Sequence, residues 1–528
     1  MIRSSAFRAS LVALLAPLSS FAQENSVTPP APVTPVVPAT PAPVVTATPV
    51  TPYTPVTSAT PVAPAGPSLT LDECIARALN KNFDLQLQQF STQNARDEVI
   101  AANATYDPTL FSTAALAGVK NASTGTSTTT QQQSATLGVT QRLVSGAQVT
   151  VSTALDRSKE RPYTAPPLFN PVYNSDVALS ITQPLLQGFG VTINRAAIQR
   201  ARLGVTRANY DFKSVVISVI RDVESAYYLL AFAREQLAVR RFSLEVAQKL
   251  LDENKARLNS GVSTNLEVLQ SDVGVANARR DLLLAEQSVS DNEDALLRLI
   301  GRFEFSTRPG PLNIPNDPVP AVTFDRSYAL ALANSPDFAS GQVAAEQLKL
   351  DVAVAKNNRL PTVDLGAAVG FNGEGRDTAG SAFNSSTSGD AYNWQVDLTV
   401  SIPWGLRAER ARYRQALTNL NRQETALQQL DQTLLVQVRQ AVRAVDTHRE
   451  TVAVSTLATE LSQKQFETEK ARYEAGLSTY RFVEDSRKDL DTARVNELLA
   501  RVNLRIALSE LARLEGTSLD RYQVKLED

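Results

Sequence analysis

Residues 391–402 read Ala-Tyr-Asn-Trp-Gln-Val-Asp-Leu-Thr-Val-Ser-Ile. Tyr392, Trp394, Val396, Leu398, Val400 and Ile402 fall on one side of an extended chain, and Asn393, Gln395, Asp397, Thr399 and Ser401 fall on the other. One face is apolar throughout and the other polar, over the roughly ten residues that a tilted strand needs to cross a hydrocarbon layer. The same alternation recurs in Val363, Leu365, Ala367, Val369 and Phe371, in Leu137, Val139 and Leu143, in Val149, Val151 and Leu155, and in Val177, Leu179 and Ile181. Tyr392, Trp394 and Phe371 suit an interfacial girdle. The polar, Ser/Thr/Asn/Gly-rich tracts 121–134 and 373–391 read as external loops. A soluble β-sandwich is the competing reading of the same segments.

Outward from these segments the period changes. From Val223 an apolar residue returns every seventh position, at Leu230, Leu237, Leu244, Leu251 and Leu258, and more weakly from Val438 through Val445, Val452, Thr459, Phe466 and Tyr473. Proline is absent between Pro184 and Pro309 and after Pro403, so both regions can hold very long helices. A helix over about 192–260 would run roughly 100 Å. Asn259-Ser260-Gly261 is a stop signal, and Ser263 or Thr264 can cap a following helix. Prolines mark each change of period: Pro108 and Pro361 where helix gives way to strand, Pro184 and Pro403 where strand returns to helix.

The chain is also a tandem duplication. Leu69-Thr70-Leu71-Asp72 matches Val322-Thr323-Phe324-Asp325, and the same offset carries Pro108 onto Pro361. A second, shorter offset carries Arg257, Gly261, Ser263, Thr264, Arg279 and Gly301 onto Arg472, Gly476, Ser478, Thr479, Arg494 and Gly516. The first copy therefore holds extra sequence in its middle. Candidate strands there lie near 109–119, 134–144, 147–157 and 175–183, with Ser145-Gly146 as a hairpin turn, against two in the second copy.

Composition excludes several classes. The 528 residues carry 52 basic and 54 acidic side chains, which is no footprint for nucleic acid. The single cysteine, Cys74, and single histidine, His448, cannot form an intramolecular disulfide or a His-rich metal site. No serine or cysteine motif pairs with His448 as a nucleophile, and Gly370 to Gly375 lacks the ending of a phosphate cradle. No enzyme activity, cofactor or metal is expected. Arg3 and Arg8, the apolar run 11–16 and Ser20-Phe21-Ala22 read as a signal peptide over 1–22. Thirteen of the 28 prolines then lie between Pro29 and Pro67, so 23–68 reads as a semi-rigid linker. The remaining boundaries follow: a first repeat 69–301 (strands about 109–183, helical hairpin about 192–300), a linker 302–321, a second repeat 322–516 (strands about 363–402, hairpin about 405–515) and a tail 517–528.

The duplicated order of helix, strands, long helix, Gly-containing turn and helix, behind a signal peptide, resembles the TolC-like outer membrane efflux proteins over about residues 69–516. The resemblance implies an α+β membrane protein: a trimeric outer-membrane β-barrel continuous with a long periplasmic α-helical barrel. It implies an exit duct of a tripartite efflux or type I secretion system, passive and gated, working with a periplasmic adaptor and an inner-membrane pump of RND or ABC type, and embedded in outer membrane lipid. Family members usually contribute four strands per protomer; the four candidate strands of the first copy here give either six per protomer and an eighteen-stranded barrel, or four with the extra hairpin folded as an external cap. Closure shared by several chains also follows from physics, since four to six strands cannot close around water and an open edge in lipid leaves backbone groups unpaired. By position, Asp485 stands where the family places a gate carboxylate, while Glu267 and Tyr473 match partners of the closing network. Phe482 and Ser478 replace an acidic residue and an arginine common there. The tips Gly261-Val262-Ser263 and Gly476-Leu477-Ser478 would dock the adaptor. The alternative is a coiled-coil surface protein whose strands form a soluble domain.

Overall fold

The matched tetrapeptides of the two copies are helix starts. Thr70 accepts from the Glu73 N–H at 3.3 Å while the Glu73 carboxylate accepts from the Thr70 N–H at 3.3 Å, a reciprocal cap that begins α1 (Leu71–Lys81). Asn82 then caps α2 (Phe83–Asn103). In the second copy Thr323 precedes α6 (Phe324–Asn334), and Ser335 caps α7 (Pro336–Asn357) with proline in its first turn.

The computed structural model describes residues 70–123, 126–161, 170–261, 264–301, 310, 312, 322–376 and 378–523. The chain divides into two units, Met1–Pro61 and Val62–Asp528. The signal peptide, the proline-rich linker, Val262, Ser263 and nearly all of 302–321 lie outside the described residues.

Between α2 and the long helices run β1 (Thr109–Ser123), β2 (Thr126–Arg142), β3 (Gln148–Arg161) and β4 (Val172–Pro184); the second copy adds β5 (Thr362–Gly375) and β6 (Tyr392–Ser401). They form one antiparallel sheet in chain order, β1 to β6. The copies join at the seam between β4 and β5, from Tyr173 opposite Gly375 to Pro184 opposite Asp364. β1 and β6 are the edges.

Two tracts read as loops are not. Residues 121–134 lie almost wholly within β1 and β2, which pair as far as Ser123 opposite Thr126. Thr, Ser and Gln are polar on both faces there, so the strands continue without the alternation that would announce them. The tract 373–391 holds the end of β5 and a helix, α8 (Ala379–Ser388), capped by Thr378. Its buried face is Ala382 and Ser386, packed on Gly373 and Gly375 of β5 and on Ser175 of β4. A Cβ on Gly373 would stand 2.1 Å from the Ala382 carbonyl oxygen and 2.3 Å from the Ser386 nitrogen. Gly373→Ala is therefore expected to lift α8 off the sheet and make its residues protease-sensitive, without unfolding the helical region. Unchanged protection in limited proteolysis would refute this packing.

The helix expected from about 192 is interrupted. α3 (Val191–Asn194) makes one turn, and α4 (Ala196–Asn259) starts after Arg195. Asn194 is diverted: its amide donates to the carbonyls of Gly188 and Gly190, at 2.7 and 3.0 Å, and its own carbonyl accepts from the Tyr106 hydroxyl at 2.6 Å. α4 has 64 residues and α9 (Arg407–Glu474) has 68, so each is on the order of 100 Å long. α5 (Asn265–Leu299) and α10 (Tyr480–Glu515) return antiparallel on them, and α11 (Ser518–Arg521) follows.

The returning helices end where the entering ones begin. Asn82 Nδ2 donates to the Leu299 carbonyl at 3.0 Å, and Asn334 Nδ2 to the Glu515 carbonyl at 3.3 Å. Gly301 and Gly516 turn the chain there with φ of +123° and +69°. One core gathers Val216, Ile220, Val223, Tyr227 and Leu230 of α4 around α1, Leu85 and Leu296; the second gathers Leu434, Val438, Val442 and Val445 of α9 against α10 and Ala331. Cys74 is fully buried, and burial pushes its thiol up to about 12, so it is an inert packing residue. Pro108 and Pro361 precede β1 and β5, Pro184 ends β4, and Pro403 follows β6 before Gly405 and Leu406 turn into α9.

Candidate functional site

The register assigns a face to every strand residue. Leu110, Val139, Val151, Leu179, Val369 and Trp394 stand in one cross-strand row, and the rows beside it are mostly apolar, interrupted by Ser112, Thr153 and Gln141. This face is bare: Leu110 is 70% exposed, Trp394 72% and Val396 62%. A row of this size in water would be a severe association hazard.

By the same register the opposite face carries Asp156, Glu160, Asp176, Asp364, Glu374 and Asp397 among threonines, serines and amides. Its one cation in the described strands is Arg142, at the end nearest the helices, donating to Asn194 Oδ1 at 3.3 Å. Gly366 and Gly370 leave room there: a Cβ would stand 2.5 Å from Asp397 Oδ1 and 2.4 Å from Asn393 Oδ1. An acidic, water-compatible wall backs an apolar surface across a single sheet.

At the far end of the helices lie the tips. Gly261 and Gly476 adopt φ of +78° and +76°, which only glycine takes freely. Leu477 N–H returns to the Arg472 carbonyl at 2.8 Å, closing the C-terminus of α9, and the Leu477 side chain is 72% exposed. Ser478 Oγ donates to the Glu469 carboxylate.

Glu267 is the reciprocal cap of Thr264 at the start of α5, its carboxylate accepting from the Thr264 N–H at 3.3 Å. Tyr473 is buried between the hairpins. Its hydroxyl donates to Asn254 Oδ1, Asn254 Nδ2 donates to Ser271 Oγ at 2.7 Å, and Ser271 Oγ donates to the Glu267 carbonyl at 2.8 Å. The Arg257 guanidinium lies over the Tyr473 ring at 4.4 Å. Burial raises the Tyr473 phenol above its ordinary value, partly offset by the Arg257 charge, so it is a neutral donor at physiological pH. The structure thus links Tyr473 to the backbone of Glu267 in one clasp. Asp485 is elsewhere: it lies on the exposed face of α10, 3.8 Å from Arg481, both largely in solvent.

The buried side of α10 holds a network that sequence reading missed. Arg487 forks onto Glu484 at 2.8 and 2.9 Å, reaches Asp491 Oδ2 at 2.8 Å, and donates to Ser243 Oγ of α4. All three charged side chains are under a tenth exposed. Burial opposes the Arg487 charge, but its hydrogen bonds to Glu484 and the charges of Glu484 and Asp491 hold it above its ordinary value. Burial raises Asp491, against the Ser243 hydrogen bond and Arg487. The fork geometry decides for an ion pair. A signal existed: Arg487 interrupts the apolar stripe of Val483 and Leu490, with carboxylates at three and four positions' remove.

Among the described residues no group of His, Cys, Asp and Glu could hold a metal, and no helix is long and apolar enough to cross a membrane. His448 sits half-buried in α9 near Asp446 and Arg449, which pair with each other at 3.7 Å.

The fold is shared with solved structures. CusC superposes with a TM-score of 0.66 at 16% identity, covering 87% of this chain and 95% of that one. The Campylobacter jejuni outer membrane channel CmeC superposes with 0.64 at 17%, covering 85% and 86%. Among curated proteins, the pyoverdine export outer membrane protein OpmQ of Pseudomonas aeruginosa is 26% identical over 322 residues, 59% of this chain and 63% of its own length. The outer membrane protein TolC of Escherichia coli is 23% identical over 364 residues, 64% of this chain and 70% of its own. This chain thus spans less than two thirds of the length of the OpmQ relative. Residues 147–302 and 327–517, well over half the sequence and including the seam, both long helices and both hairpins, match the outer membrane efflux protein family, and the chain belongs to it.

Proposed function

We propose that the protein is the outer-membrane exit duct of a tripartite efflux or type I secretion system, a homotrimer that conducts its cargo passively and performs no chemistry. The observation that carries this is the sheet: two free edges, one apolar face and one acidic face, continuous with helices on the order of 100 Å long. Edge groups without partners are not tolerated in hydrocarbon, whereas β6 of one copy against β1 of the next removes every edge. Three such sheets make an eighteen-stranded barrel, wide enough for a water-filled lumen with the acidic face inward. The helices then form a periplasmic barrel whose tips Gly261, Val262, Ser263, Gly476, Leu477 and Ser478 meet an adaptor, behind which stands an inner-membrane pump of RND or ABC type. The cargo class that suits the wall is neutral or cationic.

The clasp of Tyr473, Asn254 and Ser271, anchored at Glu267, holds the two hairpins of one protomer together near the tips, and we assign it the closed state of the gate. Asp485, on the free face of α10, supplies a carboxylate to the constriction.

Planar-bilayer recording tests both assignments. Wild type should give small, stable unitary steps with cation preference. Tyr473→Phe should raise the unitary conductance several-fold, and Asp485→Ala should lower cation preference. A folded protein that gives no steps would sink the duct in favour of a coiled-coil surface protein. Steps indifferent to both substitutions would leave the duct and remove the gate.

A further inference from the structure

The apolar face of the sheet does not stay apolar to its outer end. Along β3 it runs Val149, Val151, Thr153 and Leu155, and then, at the next same-face positions, Arg157, Lys159 and Arg161. Across β2 these stand opposite Gln133, Gln131 and Thr129, and Thr129 stands opposite Lys120 of β1. Four cations therefore share one side of three adjacent strands, with amides and a hydroxyl between them. Those on β3 are roughly 7 Å apart, and Lys120 lies about 10 Å from Arg161 across β2.

No carboxylate of the described residues neutralises them. None of the four makes an ion pair there, and the nearby Asp156 and Glu160 belong to the opposite face by alternation. Lys120 and Arg161 are exposed, and Arg157 and Lys159 half-exposed. Arg157 lies 6.0 Å over the Tyr173 ring, its cross-strand neighbour, so the first cation is paired with an amphipathic aromatic at the boundary of the apolar zone. On β4 and β5 the corresponding height is covered by α8, seated on Ser175, Gly373 and Gly375. The cations occupy the part of this face that α8 leaves open.

We infer that Lys120, Arg157, Lys159 and Arg161 form a docking surface for the phosphate groups of anionic lipid in the outer leaflet. The inference rests on the duct reading, which makes this face the lipid-facing one. Given that, the chemistry is set by height: one strand step beyond Leu155 the hydrocarbon ends and the headgroup phosphates begin. Uncompensated guanidinium and ammonium groups beside an apolar wall match a phosphate attached to acyl chains, which satisfies both surfaces at once.

The test uses the purified full-length trimer, exchanged through vesicles of phosphatidylcholine with or without bisphosphorylated lipid A, returned to neutral detergent and assayed for bound lipid by mass spectrometry. Wild type should retain lipid A over phosphatidylcholine, and K120Q/R157Q/K159Q/R161Q should lose that preference by about five-fold per charge removed. If the quadruple variant does not assemble, K159Q/R161Q carries the same per-charge expectation. Equal retention by variant and wild type, or displacement of lipid A by excess inorganic phosphate, overturns the inference. Unitary conductance recorded on the same preparations in phosphatidylcholine separates the two claims. Conductance with equal lipid retention refutes the patch alone, while absence of both conductance and retention refutes the duct reading and the patch with it.

Discussion

Arg487→Ala is expected to destabilise the protein by about 3–5 kcal/mol, the range for removing one partner from a buried ionic network. Alanine leaves the Glu484 and Asp491 carboxylates in a site under a tenth exposed, with Ser243 and Lys488 beside them and the charges of Arg240 and Arg494 acting on Asp491. Replacing all three charged side chains by apolar ones of similar size is a different change: it removes the stranded charges as well, so E484L/R487M/D491L should recover most of the loss. The pH dependence gives a second signature. Burial already raises the Asp491 carboxyl, and the alanine variant removes the Arg487 charge that lowers it, so the folded state binds more protons at Asp491 in the acid range. Stability then increases as pH falls and declines as pH rises through that folded value, and the deficit against wild type narrows toward acid pH. Urea unfolding at neutral and acid pH measures both, and a deficit that did not change with pH would mean that the lost stability came from packing rather than from buried charge.

Val396→Arg should prevent stable insertion, at a cost of about 2–4 kcal/mol for a cation near the midplane of a lipid-facing strand. Gln395→Arg, one residue earlier, should be tolerated, because it points to the acidic face beside Asp397. The contrast is strong because Val396 is 62% exposed in one protomer. On a soluble sheet an exposed valine replaced by arginine costs almost nothing, so the two readings differ by the whole effect. The fraction of each variant recovered folded in the outer membrane reports it. Equal recovery of the two variants would remove lipid from the apolar face.

How much of this is legible follows from which residues carry a period. The strands with one apolar face announce themselves through Val396, Leu365, Val151 and Leu179, and the long helices through the stripe from Val223 to Leu258 and the absence of proline. The outer half of β1 and β2 is hidden because Gln131, Gln133 and Thr129 stand among residues polar on both faces. α8 is hidden because its contact is made of Ala382, Ser386 and two glycines, residues that in sequence read as loop. In the tips, Tyr473 and Glu267 are identified by resemblance, but no local pattern reveals that the phenol meets Asn254, some two hundred residues away in the chain. The Arg487 network lies in plain spacing, and only its burial, a tertiary property, separates it from a solvated helix pair.

The seam between β4 and β5 also sets the order in which the molecule can be made. Every other strand pair in the sheet closes within its own copy through a short connection, while this one must bring Val172–Pro184 beside Thr362–Gly375 after the whole first hairpin has been synthesised. Loop closure of that length raises the entropic barrier to pairing. Until the second copy emerges, β4 is a bare edge with an apolar face, while the local hairpin of α4 and α5 can form ahead of it. The duplication that gives the fold its regularity thus imposes a late, non-local step. A chain stopped after the first repeat would hold a complete hairpin and a four-stranded sheet with no partner for its last strand.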